Sequence, residues 1–239
     1  MTEANSINRL AVMQPTYLPW LGYFSLIKDS DLFIYLDDAK FEKSSWHSRN
    51  RVLVNKAATY ITVQTTGSRY NLINETPLGQ PKWKKVHSRM LGQTYAKSPY
   101  GKEILPQLVE FISHYEGEFL ADLNIDLIDF FCDFLGIETK RVRSSQLNID
   151  GKRSERLIKF CEHFNIREYI SPVGSKEYIE EEEHFKNSIY PVLYQENGDI
   201  TYPQFNNRDN FISHLSIIDV ICNQGKEGTL KLLEKFSYK

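Results

Sequence analysis

Residues 10–38 read LAVMQPTYLPWLGYFSLIKDSDLFIYLDD, and this stretch constrains the fold more than any other. LAVMQ (10–14) is a short apolar run of strand character. LGYFSLIKDS (21–30) places Phe24, Leu26 and Ile27 on one helical face, and Asp29-Ser30-Asp31 ends it. LFIYLDD (32–38) is a second apolar run rich in strand formers. Strand, helix and strand in about 30 residues is the size of a βαβ unit. Nearly continuous apolar runs mark strands covered on both faces.

The rest of the chain continues the alternation. RVLVN (51–55) and TYITVQT (59–65) read as two strands around the break KAA, a hairpin or meander. From Pro81 to about Phe134 the pattern is helical, opening with proline near a first turn and closing at Gly136 as a C-cap. Behind it come a strand (ETKRVR), an amphipathic helix (KRSERLIKFCEHFN), a strand (REYIS), a helix start (GSKEYIEEEEHF), a strand (IYPVLYQ) and two closing helices. The expected fold is one α/β domain over residues 1–239, with a mainly parallel sheet, flanking helices and a helical insertion at about 81–135. Two domains split near residue 80 is the weaker arrangement.

Composition removes several function classes. A net charge of −2 gives no global electrostatic case for nucleic acid. No run of about 18 apolar residues exists to span a membrane. The opening MTEANSINRL lacks a basic start and an apolar signal core, so the expected location is the cytoplasm. Cys132, Cys161 and Cys222 sit singly in apolar helical runs, as reduced core residues would. Aromatic residues reach 13%, many tyrosines lying near proline or glycine in loops, a pattern shared by pockets and protein interfaces.

Ligands of open α/β sheets bind beyond the carboxyl ends of the strands. That rule selects four loops. In the first, Gln14 is an uncharged donor and acceptor, and Tyr17 and Trp20 are flat surfaces. Pro15 and Pro19 stiffen it, and Gly22 permits close approach at the helix entry. A packed crossover with aromatic plugs has the same pattern. The second loop, LDDAKFEKSSWHSRNRV, carries Asp37 and Asp38 at a strand end. Adjacent strand residues point to opposite faces, so one of them, Asp38, is the candidate base. His47 is a base candidate near neutral pH, Arg49 can grip a phosphate, and Asn50 can bridge donors and acceptors. A solvated loop with capping residues fits equally. The third is Ser144-Ser145. The fourth sets Ser171, Gly174, Ser175 and Lys176 before a helix, a possible anion site or simply a cap. His87 and Tyr95, eight apart, share one face of a helix, where a half-buried structural histidine is the plainer assignment. No dinucleotide, Walker, zincin or serine-elbow pattern occurs, and no metal ligand set is visible.

Together these stretches resemble the WbqC-like family over nearly the full length. The marks are QPTYLPWLGYF (14–24), LDDAKFEKSSWHSRNRV (36–52), WKKVHSRM (83–90), EYISPVGSKEYI (168–179) and HLSIIDVICNQG (214–225). In the fourth, Pro172 and Ser175 replace two glycines of the family pattern. In the last, Ser216, Asp219, Asn223 and Gly225 match it and Cys222 replaces an aromatic. The resemblance implies a bacterial protein of O-antigen, lipopolysaccharide or other surface-polysaccharide biosynthesis. It further implies transfer of glycine or another acyl group onto a nucleotide-linked amino sugar, with an activated acyl or aminoacyl donor as co-substrate. In that scheme His47 and Asp38 are the candidate bases. Asn50 and Gln14 orient or stabilise, Arg49 and Lys176 hold phosphates, and Tyr17 and Trp20 stack on base or sugar. His87, Ser171 and Gly174 complete the expected binding set. Two other readings stay open: a non-catalytic sugar-nucleotide-binding or scaffold protein of the same pathway, and a nucleotidyltransferase-like enzyme. The oligomeric state is open.

Overall fold

The computed structural model describes residues 7–68, 70–207 and 210–239. Residues 1–6, used above to judge export, lie outside them. Five strands run parallel in one sheet. They are β1 (Arg9–Met13), β2 (Leu32–Tyr35), β5 (Lys140–Arg143), β6 (Glu168–Pro172) and β7 (Val192–Glu196). A two-residue strand, β8 (Ser237–Tyr238), adds antiparallel to β7. The order across the sheet is β5-β2-β1-β6-β7-β8. β3 (Arg49–Val54) and β4 (Ala57–Thr62) form a separate antiparallel hairpin. Its turn is Asn55-Lys56, both with positive φ (50° and 65°), not the KAA break expected from sequence. Two successive left-handed residues give the turn that suits a twisted hairpin.

Seven α-helices complete the described residues: α1 (Leu21–Lys28), α2 (Lys82–Tyr95), α3 (Gly101–His114), α4 (Leu120–Leu135), α5 (Arg153–Phe164), α6 (Lys176–Glu181) and α7 (Ile217–Leu233). None is long and apolar enough to cross a membrane. Gly136, with φ 77°, closes α4 as expected. The two closing helices are both present within the α7 span and meet at Gly225, as expected. Gly225 turns α7 with φ 67° while the Tyr100 ring fills the space a side chain would need. The helix starts only at Ile217, capped by Ser216, so NFISHL (210–215) is not helical.

Strand alternation divides the core in two. Leu10, Val12, Leu32 and Ile34 face α5 and α6, against Leu157, Phe160 and Ile179. Ala11, Phe33, Tyr35 and Ile170 face the other way, against α1, α4 and α7. Helices therefore cover both faces, which explains why β1 and β2 are almost wholly apolar. From β1 the chain winds through β2 to β5. It then returns past β1 to β6 and β7, so the winding direction reverses between β1 and β6. The three cysteines are free and buried in these cores.

Candidate functional site

The parallel strands bring the four candidate loops to one edge of the sheet. Gln14, just past β1, is exposed, and its Oε1 accepts a hydrogen bond from His47 Nε2 at 2.9 Å. His47 itself is buried, and its Nδ1 accepts from the Glu42 amide at 3.2 Å. With Nδ1 accepting, the ring proton sits on Nε2. Burial pushes the imidazole down to about 4, so it is neutral at physiological pH with both nitrogens engaged.

Asp37 and Asp38 were expected on opposite faces. They converge instead, because β2 ends at Tyr35 and the pair sits in a turn where strand alternation no longer holds. Ser144 Oγ donates to both carboxylates. Asp37 also takes the Ser145 amide (3.0 Å) and hydroxyl (2.7 Å). Asp38 is held by Arg156 through two parallel bonds of 2.8 and 2.6 Å. The Asp38 carboxyl is desolvated, yet the Arg156 and Ser144 hydrogen bonds outweigh that and hold its pKa below the usual range. This cluster ties β2 to the segment after β5. An ion-paired carboxylate of lowered pKa is a poor proton acceptor.

Other candidates fasten the chain to itself. Tyr17 is fully buried. Its hydroxyl meets His87 Nδ1 at 2.8 Å, and His87 Nε2 donates to the Thr62 carbonyl at 3.0 Å. His87 is buried, not half-buried, and burial lowers it to about 4 against a smaller upward pull from Thr62. Asn50 Nδ2 donates to the Tyr17 and Leu18 carbonyls, 3.1 and 2.8 Å, and its Oδ1 accepts from the Arg51 amide. Trp20 packs on His214 and Phe236 and lies against Gly22, where an added Cβ would come within 2.3 Å of the indole. Arg49 stands over the Tyr60 ring at 4.3 Å. Ser171 is buried. Gly174 has open space beside its Cα, and exposed Lys176 pairs with Glu180. α6, which Lys176 opens, has only six residues. The structure thus brings Gln14 and His47 together, and Tyr17, Asn50 and His87 into one buried hub. Arg49, Trp20 and Lys176 lie apart from these.

A larger concavity lies elsewhere. A cleft of about 1340 Å³ opens between the β3–β4 turn, α2, loop residues 203–207 and 210, and α7. Eight of its eighteen described lining residues carry side-chain amides, and none is Asp or Glu. Asn55, Gln93, Asn206 and Asn210 are among them. Lys56 and Arg89 bring the positive charge, and Phe205 brings a ring. Gln204 and Asn223 hold the loop in place. Gln204 Nε2 donates to the Ile212 carbonyl and to Asp219 Oδ2, and Asn223 Oδ1 accepts from the Phe205 amide at 2.7 Å. Asp219 is wholly buried. Burial raises its pKa, while hydrogen bonds from Tyr202 and Gln204 partly offset this.

Sequence reasoning missed this cleft. Its walls come from segments about 150 residues apart, and none sits at the carboxyl end of a strand of the parallel sheet. The available signal was the run QFNN (204–207) followed shortly by Asn223-Gln224, an unusual density of amides. Among the described residues, no group of three or more His, Cys, Asp or Glu is placed to hold a metal ion.

A parallel sheet wound in both directions, with a polar cleft beside it, defines the class as an α/β protein with a small-molecule-sized site. The chain belongs to the WbqC-like protein family, whose pattern matches residues 14–230. It is similar to the Uncharacterized protein Rv1507c of Mycobacterium tuberculosis (strain ATCC 25618 / H37Rv). The identity is 30% over 223 residues, covering 92% of this chain and 96% of the relative. No solved structure matches.

Proposed function

We propose that this protein binds a nucleotide-linked amino sugar in the amide-lined cleft and acylates its amine, within bacterial surface-polysaccharide assembly. The observation that carries the reading is the lining itself. Side-chain amides suit the mixed donors and acceptors of sugar hydroxyls. Lys56 and Arg89 suit a diphosphate, Phe205 suits a base or sugar face, and the described lining has no carboxylate to repel the phosphates. A volume of about 1340 Å³ accommodates such a ligand with room for part of a donor. The pathway assignment rests on the family resemblance.

In the reaction, the amine nitrogen attacks the carbonyl carbon of an activated acyl or aminoacyl donor. The donor's leaving group departs with the bonding pair, and the amine proton passes to solvent. Amide N–H groups of the cleft are the available donors to the developing oxyanion. An amino sugar is less basic than lysine, because its oxygens withdraw electrons, so its neutral amine is accessible without a strong base. A second reading, binding without catalysis, is favoured by one observation. Both nitrogens of His47 are engaged, and no described cleft residue is an Asp, Glu or His.

The test is thermal denaturation with a panel of nucleotide-linked amino sugars, followed by mass spectrometry with acyl-thioester donors. A ligand at 100 times its Kd adds about 2.7 kcal/mol of stability. Lys56→Ala and Arg89→Ala should lose most of that gain without changing the unliganded Tm, since both are exposed. Stabilisation without an acylated product makes this a binding protein. Stabilisation by none of the panel removes the reading altogether.

A further inference from the structure

A second cavity, of about 310 Å³, lies on the other side of the strap that walls the cleft. The strap contributes residues 203–207 and 210 to the cleft, but 197–202, 211 and 213–215 to this cavity. Its aromatic lining falls into two groups. Trp20 packs on His214 (5.0 Å between ring centroids) and Phe236 (6.0 Å), and Tyr202 packs edge-on to Phe211 at 5.1 Å. Trp20 and His214 belong to the first and last distinctive stretches of the sequence, and the cleft uses neither.

Charge decides what such a cavity can take. No lysine or arginine lines it among the described residues, and one carboxylate does, that of exposed Asp199. Among the described residues Asp199 forms no ion pair. Lys235 Nζ reaches its main-chain carbonyl (3.5 Å) and not its carboxylate. Aromatic faces attract a cation through their quadrupoles, and an unpaired carboxylate at the same mouth adds to that attraction. A phosphate would meet the Asp199 carboxylate, and the nearby Lys235 ammonium already bonds the Asp199 main-chain carbonyl. The cavity volume is at the small end of ligand sites, too small for a nucleotide sugar and sufficient for a compact organic amine.

We propose that this aromatic cavity is a binding site for a small organic ammonium group, held between the Trp20 and Tyr202–Phe211 ring groups and paired with Asp199. The site does not depend on the nucleotide-sugar reading. It shares only the strap, whose anchor is common to both sides. Tyr202 from the cavity and Gln204 from the cleft both donate to Asp219 Oδ2, at 2.7 and 3.1 Å.

The experiment compares phenethylamine with 2-phenylethanol, its uncharged near-isostere, by calorimetric titration of the full chain. Saturable amine binding is expected, about tenfold tighter than the alcohol. Asp199→Asn should remove most of the amine's advantage over the alcohol with Tm unchanged. Phe211→Leu should weaken the amine about threefold or more. Lys56→Ala and Arg89→Ala should leave amine binding intact, which separates this site from the cleft. Equal affinity for amine and alcohol, no saturable binding of the amine, or an Asp199→Asn protein that binds it undiminished would overturn the proposal.

Discussion

Asn50 offers the sharpest separation of a structural role from a catalytic one. Its side chain is buried and makes three hydrogen bonds to main chain, two donated by Nδ2 to the Tyr17 and Leu18 carbonyls and one accepted by Oδ1 from the Arg51 amide. Leu18 has φ 47°, a left-handed conformation that non-glycine residues adopt only when the surroundings hold them there. Asn50→Ala removes all three bonds and leaves three buried main-chain groups to find other partners. Each orphaned group costs about 1–3 kcal/mol. Water entering the vacated space reduces that, so the low end of the range applies and the sum is about 3 kcal/mol. In a chain of this size 1 kcal/mol moves Tm by about 2–4 °C, giving a fall of roughly 6–12 °C. Asn50→Asp should fall further, although it is nearly isosteric, because a carboxylate would face two carbonyl oxygens without a proton to give them. Differential scanning calorimetry of both variants, with nucleotide-sugar binding measured well below the transition, is the assay. A drop under about 2 °C for alanine, or aspartate tolerated better than alanine, would refute the clamp and return Asn50 to the list of substrate-facing groups.

Acid should destabilise the protein through His47 and His87. Both imidazoles are pushed by burial to about 4, against about 6.5 in an unfolded chain. The unfolded state therefore binds protons first, and stability is lost as pH falls from about 6.5 towards 4, by about 3 kcal/mol for each histidine. Urea midpoints between pH 8 and pH 4.5 test this, and His87→Gln should flatten the slope, whereas an unchanged slope would discount its share. Gly22→Ala should cost about 1–3 kcal/mol by overpacking, since the new methyl meets the Trp20 ring and that ring is backed by Phe236 and His214. Its tryptophan emission should shift and its amine binding weaken, and a variant with native Tm and spectrum would show that the ring moves freely.

The fold was legible because its signals are local. Apolar runs of strand length, helical periodicity in 82–135 and the glycine cap at Gly136 each act within a few residues. Strand β8 was not legible, as two residues pairing with β7 have no pattern of their own. The non-helical residues before Ile217 were also missed, because apolar spacing alone does not exclude a loop. At the candidate site, residue type gives a side chain's chemistry and not what it faces. Tyr17, Asn50 and His87 are residues of the kind that bind ligands, yet here they bind main chain and one another. Asp37 and Asp38 were separated by a rule for strands that stops applying two residues earlier. The cleft depends on the relative placement of α2, α7 and the hairpin, which no short window of sequence contains.

The density of unusual residues in 14–24 follows from what the loop must connect. Pro15 and Pro19 cannot donate a main-chain hydrogen bond, and the loop they stiffen is buried along most of its length. Its carbonyls must therefore be satisfied from outside. Asn124 of α4 donates to Pro15 O, Asn50 of β3 to Tyr17 O and Leu18 O, the Tyr23 hydroxyl to Gln14 O, and the Ile217 amide at the start of α7 to Pro19 O. Tyr17 adds a link to α2 through His87. One loop thus fixes α2, α4, α7 and the hairpin relative to β1. Three of those four elements, α2, α7 and the hairpin, form the cleft walls. The segment shapes the cleft by setting the positions of its walls, and of its aromatics Trp20 borders the smaller cavity.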